Sequence, residues 1–171
     1  KGVWVGSNVG LSYFNHKSGQ VTHYLKSATT NKLNSTETYD VNFIQPSGDG
    51  GVWVGLWGKG INLFTKEHQL IDFPFKPGVR EANFTTMALF QSEFLLGTAG
   101  MGIVSFNPVT KQYRIPIKEL GKSTFLNKSI AAINVLNGTE IWVGTVGFVL
   151  YVFDISTHKI RHYVKSAEKG A

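Results

Sequence analysis

The chain contains no cysteine and few charged residues. Without cysteine, disulfide bonds, thiolate metal ligands and a cysteine nucleophile are excluded. Among the 171 residues, 16% are charged, whereas 42% are hydrophobic and 13% are aromatic. This composition is far from that of a disordered chain. It predicts a folded protein that has no covalent cross-links.

Long hydrophobic runs and catalytic motifs are also absent from the sequence. No apolar run reaches the length of about 18 residues needed to cross a bilayer, and no signal peptide is recognisable. The sequence has no Gly-x-Ser-x-Gly elbow, no His-Glu-x-x-His motif and no phosphate-binding loop that opens a helix. We therefore expect no catalytic residues in this chain.

A short β-rich run that ends in glycine occurs four times. The four runs are Val3–Gly6, Val52–Gly55, Phe94–Gly97 and Ile141–Gly144. An apolar stretch follows each run within about ten residues and ends at Phe14, Phe64, Phe106 or Phe153. The closing glycines recur at intervals of 42 to 49 residues, which is the length of a four-stranded propeller blade. Leucine-rich and helix-pair repeats are shorter, so each unit is predicted to be a small antiparallel sheet.

Each repeat can be divided into four strands. An inner β-rich run is followed by a tight turn, the glycine-ended strand, a Gly-rich loop, a third strand, a polar turn and an outer strand. The first unit begins at its second strand, so it lacks an inner strand. We therefore predict an all-β fold, a single partial β-propeller over residues 1–171. Its blades are expected at about 1–26 (incomplete), 38–75, 84–117 and 129–165. A small four-bladed ring that is open at one blade is the alternative.

The repeat resembles that of a known family. The order Trp-Val-Gly-Thr, a Gly-rich loop and an aromatic-closed strand is similar to the two-component regulator propeller repeat, found in the periplasmic sensor region of bacterial hybrid two-component receptors. The second, third and fourth units match it best. The sequence departs from the pattern at four residues: Leu95 replaces tryptophan, Ser7 and Leu56 replace threonine, and Val149 replaces glycine.

The resemblance implies a function for the chain. It implies a non-catalytic piece of a sensor propeller on the periplasmic or extracellular face of the inner membrane, within a membrane-anchored receptor. The expected ligand is an oligosaccharide, and the expected partners are the remaining blades and a second receptor chain in a homodimer. A histidine kinase would lie elsewhere in the receptor. A protein-interaction scaffold without a small ligand is the alternative, and a propeller lyase or hydrolase would need catalytic groups in other blades.

Loops between the second and third strands are the predicted ligand-binding elements, because such loops gather on one face of a propeller. The candidate ligand-binding residues in these loops are Asn8, Trp57, Lys59, Met101 and Phe148. Trp57 is the most informative of them, since it lies outside the repeated strand position of Trp4, Trp53 and Trp142. A loop tryptophan can stack on a sugar ring, and Lys59 beside it can meet an acidic sugar. Packing of Trp57 over a neighbouring blade is an equally favoured interpretation.

Net charge and histidine placement predict no further sites. The charge of +6 would suit nucleic acid, but lysines 17, 66, 111 and 159 fall in corresponding outer turns and would be spread around the rim. His16, His68 and His158 also occupy outer turns of three different units. They would therefore not converge on one metal ion. We expect no nucleic-acid partner, no metal site and no cofactor.

Overall fold

A computed structural model describes residues 2–26, 39–75, 83–114, 128–147 and 149–164. Within these residues the regular structure is β-strand throughout, and no helix is present. The first sheet contains β1 (Gly2–Ser7), β2 (Gly10–Asn15) and β3 (Val21–Lys26). The second contains β4 (Val41–Pro46), β5 (Val52–Leu56), β6 (Gly60–Phe64) and β7 (Leu70–Phe73). The third contains β8 (Phe84–Phe90), β9 (Glu93–Thr98), β10 (Ile103–Asn107) and β11 (Gln112–Arg114). The fourth contains β12 (Ile130–Leu136), β13 (Glu140–Thr145), β14 (Val149–Asp154) and β15 (Lys159–Val164).

All four sheets have the same simple topology. Each strand pairs antiparallel with the strand that follows it in the sequence, in the order β1-β2-β3 for the first sheet and β4-β5-β6-β7 for the second. The third and fourth sheets repeat the four-stranded order. The predicted fold class, a partial β-propeller whose first blade lacks its inner strand, is thereby confirmed.

The chain divides into two compact units, Lys1–Phe84 and Thr85–Ala171. The first unit holds the first and second sheets, and the second unit holds the third and fourth, apart from Phe84 at the start of β8. The assignment of residues 1–171 to a single domain remains a prediction.

In the first unit, the core lies between the first and second sheets. Leu11, Val52, Val54, Leu56 and Phe64 form a buried cluster, since the β-branched and aromatic side chains of these strands share one face. The Trp4 ring packs against that cluster, with its centroid 5.6 Å from the centroid of Phe64. The repeated tryptophan of the first sheet is therefore a packing residue.

Gly6 permits this close packing. An added Cβ at Gly6 would lie 2.4 Å from the Cγ1 atom of Val41, at the start of β4. No such contact is tolerated between carbon atoms, so the glycine that closes the repeated run is required where the next sheet's inner strand approaches.

The second unit has an equivalent core between the third and fourth sheets. Its buried residues are Phe90, Leu95, Ile103, Ile130, Ile133, Ile141, Val143 and Phe153. Gly97 corresponds to Gly6, since an added Cβ there would lie 2.8 Å from Cγ2 of Ile130, the first residue of β12. The same packing rule therefore applies in both units.

In three of the outer turns, a side-chain oxygen at the same repeat position accepts hydrogen bonds from the backbone of the turn. Asn107 Oδ1 accepts hydrogen bonds from the backbone N–H groups of Val109 and Thr110, and Asp154 Oδ1 accepts from those of Ser156 and Thr157. Asn15 Oδ1 does the same in the first sheet. Asx turns of this kind close hairpins locally, which explains why the polar turns could be recognised in the sequence.

Candidate functional site

The loops between the second and third strands of each sheet share one exposed position. Asn8, Trp57, Ala99 and Val146 occupy this position, at the second residue after the closing glycine, and all four are exposed. Trp57 and Val146 also make the same backbone contact: their N–H groups donate to the carbonyl oxygens of Asp40 and Ser129, 2.9 Å away in each case. The repeat therefore directs this side chain toward solvent, whatever the residue.

A hydroxyl group closes the loop in three of the sheets. Thr98 Oγ1 donates to the carbonyl oxygen of Gly102 at 2.8 Å and accepts from the Met101 N–H at 2.9 Å. Thr145 Oγ1 donates to the carbonyl oxygen of Val149 at 3.0 Å. In the first sheet Ser7 Oγ is 3.3 Å from the carbonyl oxygen of Gly10. These loops are held by a bond within the loop itself.

The second-sheet loop is built differently, because Leu56 replaces the hydroxyl residue. The Leu56 side chain is fully buried in the core. Besides the bond from the Trp57 N–H to Asp40, the loop is anchored by the Gly58 N–H, which donates to Asn83 Oδ1 at 2.8 Å. Both acceptors lie outside the loop, just before the strands β4 and β8. This loop is therefore supported by two neighbouring segments.

The two tryptophans of the second sheet have opposite environments. Trp53 is 5% exposed, and its ring centroid is 5.5 Å from that of Phe73. Trp57 is 46% exposed. Nearly half of Trp57 is therefore accessible to a ligand, and an indole has the apolar face and the N–H donor that suit a sugar ring.

Lys59 lies beside this tryptophan in the loop, but its ammonium group has a partner. Lys59 Nζ is 4.3 Å from the ring centroid of Tyr39, within the range of a cation–π interaction. Lys59 and Tyr39 are both half-buried. The structure thus adds Tyr39 to the surroundings of Trp57, and it orients a positive charge at the same loop.

The other candidate residues belong to the loops of the other sheets. Asn8 is exposed in the first sheet, and no hydrogen bond or ring contact connects its side chain with Trp57 in the described part of that unit. Met101 is half-buried in the second unit, where its N–H bonds to Thr98. Phe148 lies outside the described residues. Only Trp57 and Lys59 are placed in one loop, which we call the Trp57 loop (residues 56–60).

Sequence reasoning missed Tyr39, Asp40 and Asn83 as supports of the Trp57 loop. Asn83 lies directly before β8, and its side chain accepts the Gly58 hydrogen bond. Asn42 strengthens the same region, since its Nδ2 donates to the carbonyl oxygen of Phe84 at 2.8 Å. The replacement of threonine by Leu56 was the available signal, because a loop without its own hydroxyl needs support from elsewhere.

Ionisable groups form isolated pairs. In the described residues no group of three or more His, Asp or Glu side chains could hold a metal ion. Glu93 and Arg114 form an ion pair in the third sheet, and Glu140 and Arg161 form one in the fourth, with 2.7 Å between nitrogen and oxygen. None of these groups is arranged as an acid–base pair for catalysis.

The pKa of Glu93 reflects two opposed effects. Burial raises the pKa of this carboxyl, but the hydrogen bond and charge of Arg114, with hydrogen bonds from Ser105 and Asn107, outweigh burial and hold the pKa below its ordinary value. In the turns, the hydroxyl of Ser47 lowers the pKa of Asp49, and the hydroxyl of Ser156 lowers that of Asp154. Each shift stabilises the ionised carboxylate, which is the form that accepts the turn hydrogen bonds.

A small cavity lies next to the Glu93–Arg114 pair. It has a volume of about 140 Å³ and is lined by Phe90, Gln91, Ser92, Glu93, Leu95, Ser105, Arg114 and Ile155. Glu93 and Arg114 satisfy each other across its wall. The cavity therefore offers little uncompensated polarity to a ligand.

Searches among known proteins match the chain at the level of three-dimensional structure. One similar structure is the extracellular domain of a hybrid two-component system from B. thetaiotaomicron, with a TM-score of 0.75 and 14% identity over 97% of this chain and 23% of that chain. A second such domain from the same organism has a TM-score of 0.71 and 18% identity over 98% of this chain and 21% of that chain. A catalytically inactive virginiamycin B lyase from Staphylococcus aureus has a TM-score of 0.66 and 13% identity, covering 98% of this chain and 53% of the lyase.

No family model matches the sequence, and no curated protein matches it either. The chain spans about a fifth of the length of the two extracellular domains. In the part of the chain that the structure describes, no helix is long and apolar enough to cross a membrane. The predicted likeness to the propellers of hybrid two-component receptors is thus confirmed at the level of fold.

Proposed function

We propose that this chain is part of the extracytoplasmic sensor propeller of a membrane-anchored hybrid two-component receptor, and that it has no catalytic activity of its own. The likeness to two extracellular domains over nearly the whole chain supports the proposal. A likeness to a lyase shows that the fold also carries enzymes. The absence of an acid–base pair or metal cluster in the described residues favours a receptor over an enzyme.

The ligand in this proposal is an oligosaccharide, and Trp57 is its stacking platform. The observation that carries the proposal is the exposure of a large aromatic residue at a position that the repeat turns toward solvent. A sugar ring has an apolar face that matches the indole, and stacking buries both surfaces. The bonds from the Trp57 and Gly58 N–H groups to the Asp40 carbonyl and to Asn83 Oδ1 hold the platform in place before the ligand arrives.

Lys59 gives the site a preference for acidic sugars. Its ammonium group lies over Tyr39, where it keeps hydrogen-bond donors available to a carboxylate. Asn8, Met101 and Phe148 stay candidate ligand-binding residues, each in the loop of its own repeat.

Signalling in this proposal depends on two receptor chains. Ligand binding changes the arrangement of the chains in a homodimer, and this change alters the activity of a histidine kinase that lies elsewhere in the receptor. The differential affinity of the ligand for the two arrangements supplies the free energy of the change.

Calorimetric titration of the protein with neutral and uronic-acid oligosaccharides tests the assignment. The Trp57→Ala variant should bind about 5- to 150-fold more weakly, which corresponds to roughly 1–3 kcal/mol, without a change in melting temperature. Lys59→Met should weaken binding of the acidic sugars only. Equal binding by wild type and Trp57→Ala would remove Trp57 from the site. If no sugar binds and a protein ligand is lost in Trp57→Ala, the interaction-scaffold alternative is correct.

A further inference from the structure

The cavity beside the Glu93–Arg114 pair lies where the third repeat lacks its tryptophan. Its lining includes Leu95, the residue that replaces tryptophan at the repeated strand position. Leu95 pairs with Ser105 of β10, and Ser105 pairs with Arg114 of β11, so these three residues share one face of the third sheet. Glu93, two positions before Leu95 in β9, lies on the same face. The cavity therefore lies on this face, where Ile155 of the fourth sheet also lines it.

The first unit shows what fills the equivalent positions in another repeat. Trp4 pairs with Tyr13 as Leu95 pairs with Ser105. The ring centroids of Trp4 and Tyr13 are 5.0 Å apart, so two aromatic side chains pack together there. In the third sheet a leucine and a serine stand at the same paired positions. The loss of two rings accounts for a cavity of about 140 Å³.

The fourth sheet shows what a Glu–Arg pair of this repeat binds. Glu140 Oε1 accepts a hydrogen bond from Arg161 at 2.7 Å, and Glu140 Oε2 accepts one from the indole N–H of Trp142 at 3.1 Å. Trp142 stands two positions after the glutamate, at the repeated tryptophan position. The third sheet repeats the Glu–Arg pair but has a leucine at that position. Its pair therefore has no indole of its own chain at the corresponding place.

The size and polarity of the cavity restrict the ligand. A volume of about 140 Å³ is close to the roughly 150 Å³ of an engineered apolar cavity that binds benzene, and it is below the roughly 300–1,000 Å³ of sites for larger ligands. Glu93 already accepts hydrogen bonds from Arg114, Ser105 and Asn107, and a carboxylate has about four acceptor positions. A sugar with many hydroxyl groups would lose hydrogen bonds in such a space. A single aromatic ring system with one donor fits it.

From these observations we propose that the cavity binds a small aromatic compound of the size of indole, with one ring N–H group. The ring lies next to Leu95 and Ser105, and its N–H donates to Glu93. Gln91 and Ser92 are exposed and also line the cavity, so that a ligand has access from solvent. This site does not depend on the sugar-binding assignment.

Titration of the 171-residue protein with indole, followed by amide chemical shifts, tests the proposal. We expect saturable binding in the millimolar range or tighter, with shifts at residues that line the cavity, such as Ser92, Glu93 and Ser105. The Gly58 amide of the Trp57 loop should not shift. The absence of saturable shifts at the cavity, or shifts at Gly58 alone, would overturn the proposal.

The ring N–H is tested by comparing indole with 1-methylindole, which has no N–H group. The methylated compound should bind about 10-fold more weakly, because it cannot donate to the Glu93 carboxylate. Glu93→Gln should weaken binding of indole by about 5- to 10-fold and leave binding of 1-methylindole unchanged. Glu140→Gln is the matched control and should change neither affinity, since Glu140 accepts from Trp142. Equal affinities of the wild type for the two compounds would show that Glu93 is not the acceptor and would refute the site.

The variant Leu95→Trp supplies the missing ring from the chain itself. It should abolish indole binding and raise the melting temperature by about 2–5 °C, because the indole fills the cavity. Indole binding that persists in the folded variant contradicts the proposal. If the variant does not fold, the comparison of Glu93→Gln with Glu140→Gln decides. Tighter binding of N-acetyltryptophanamide than of indole would assign the cavity to a tryptophan of another protein, and the proposed free ligand would be wrong.

Discussion

The Trp57 loop and the corresponding loop of the third sheet are held in place by different hydrogen bonds. The third-sheet loop is closed by the buried hydroxyl of Thr98, which bonds to Gly102 and Met101 within the loop. The Trp57 loop has Leu56 at that position and is anchored by Asp40 and Asn83. The strands of the two sheets are alike, whereas the second-sheet loop has a side-chain anchor outside the loop, Asn83, and the third-sheet loop has an internal hydroxyl.

This difference has a consequence for ligand binding. The third-sheet loop combines its internal hydroxyl bonds with one outside bond, from the Gly102 N–H to the carbonyl oxygen of Lys128 at 2.9 Å. The Trp57 loop has no hydroxyl bond of its own and depends on Asp40 and Asn83, which lie just before β4 and β8. A platform held in this way is preorganised, which lowers the entropy cost of binding.

The largest expected effect is a difference in the free energy of unfolding between variants of the two tryptophans of the second sheet. Trp53→Ala should lower the free energy of unfolding by about 3–5 kcal/mol, because Trp53 is buried in a strand. Trp57→Ala should lower it by less than about 0.5 kcal/mol, because Trp57 is exposed in a loop. Urea unfolding measures both. Similar losses would show that Trp57 is a core residue, and the sugar-platform assignment would be withdrawn.

Removing the internal hydroxyl is the next test of the loop comparison. Thr98→Val should cost about 1–2 kcal/mol of unfolding free energy, because the Met101 N–H loses its acceptor in a buried site and the Gly102 carbonyl keeps only the bond from the Thr98 N–H. Thr145→Val is the matched control and should cost less, since Thr145 is half-buried and water can replace its hydroxyl. An equal or larger loss at Thr145 would contradict the role assigned to burial.

Removing the external anchor should have a smaller effect on stability and a local effect on the loop. Asn83→Ala should cost about 0.5–1.5 kcal/mol and should accelerate hydrogen exchange at the Gly58 amide, which loses its acceptor. Asn42→Ala, which removes the neighbouring bond to Phe84, should leave exchange at Gly58 unchanged. Unaltered exchange at Gly58 in Asn83→Ala would show that the loop does not need this anchor.

The smallest effect is expected at the Glu93–Arg114 pair of the third sheet. The folded pKa of Glu93 is below its ordinary value of 4.5, so the pair contributes stability above that pH and loses it as the pH falls through the folded pKa. At neutral pH Glu93→Gln should cost about 0.2–1 kcal/mol. Denaturation of wild type and variant as a function of pH should show the difference vanish in acid. The exposed Glu67, 3.7 Å from Lys66, is the control, and Glu67→Gln should change little.

The strands and their order could be predicted because each repeat carries its own signals. The apolar runs and polar turns of a sheet are adjacent in the sequence, so that local pattern and final pairing agree. The three-stranded first sheet was predicted as well, because the first unit begins at its glycine-ended strand and not at an inner strand.

The contacts around Trp57 could not be predicted in the same way. The Gly58–Asn83 bond joins residues 25 positions apart, and the Lys59–Tyr39 contact crosses from a loop to the segment before β4. No local pattern specifies such pairs. The two Glu–Arg pairs could have been predicted from the sequence, because the glutamate and the arginine are 21 residues apart in both the third and the fourth sheet.

The sequential pairing of strands has a consequence for how such a chain folds and evolves. Since each strand bonds only to its neighbours in the sequence, every sheet can close its hairpins over short loops, without waiting for distant parts of the chain. Duplication or loss of one whole repeat then leaves the hydrogen bonds inside all other sheets intact. Only the apolar contact between adjacent sheets has to form again. Gly6 and Gly97 leave the same space for the inner strand of the next sheet, so that one repeat can replace another in this contact.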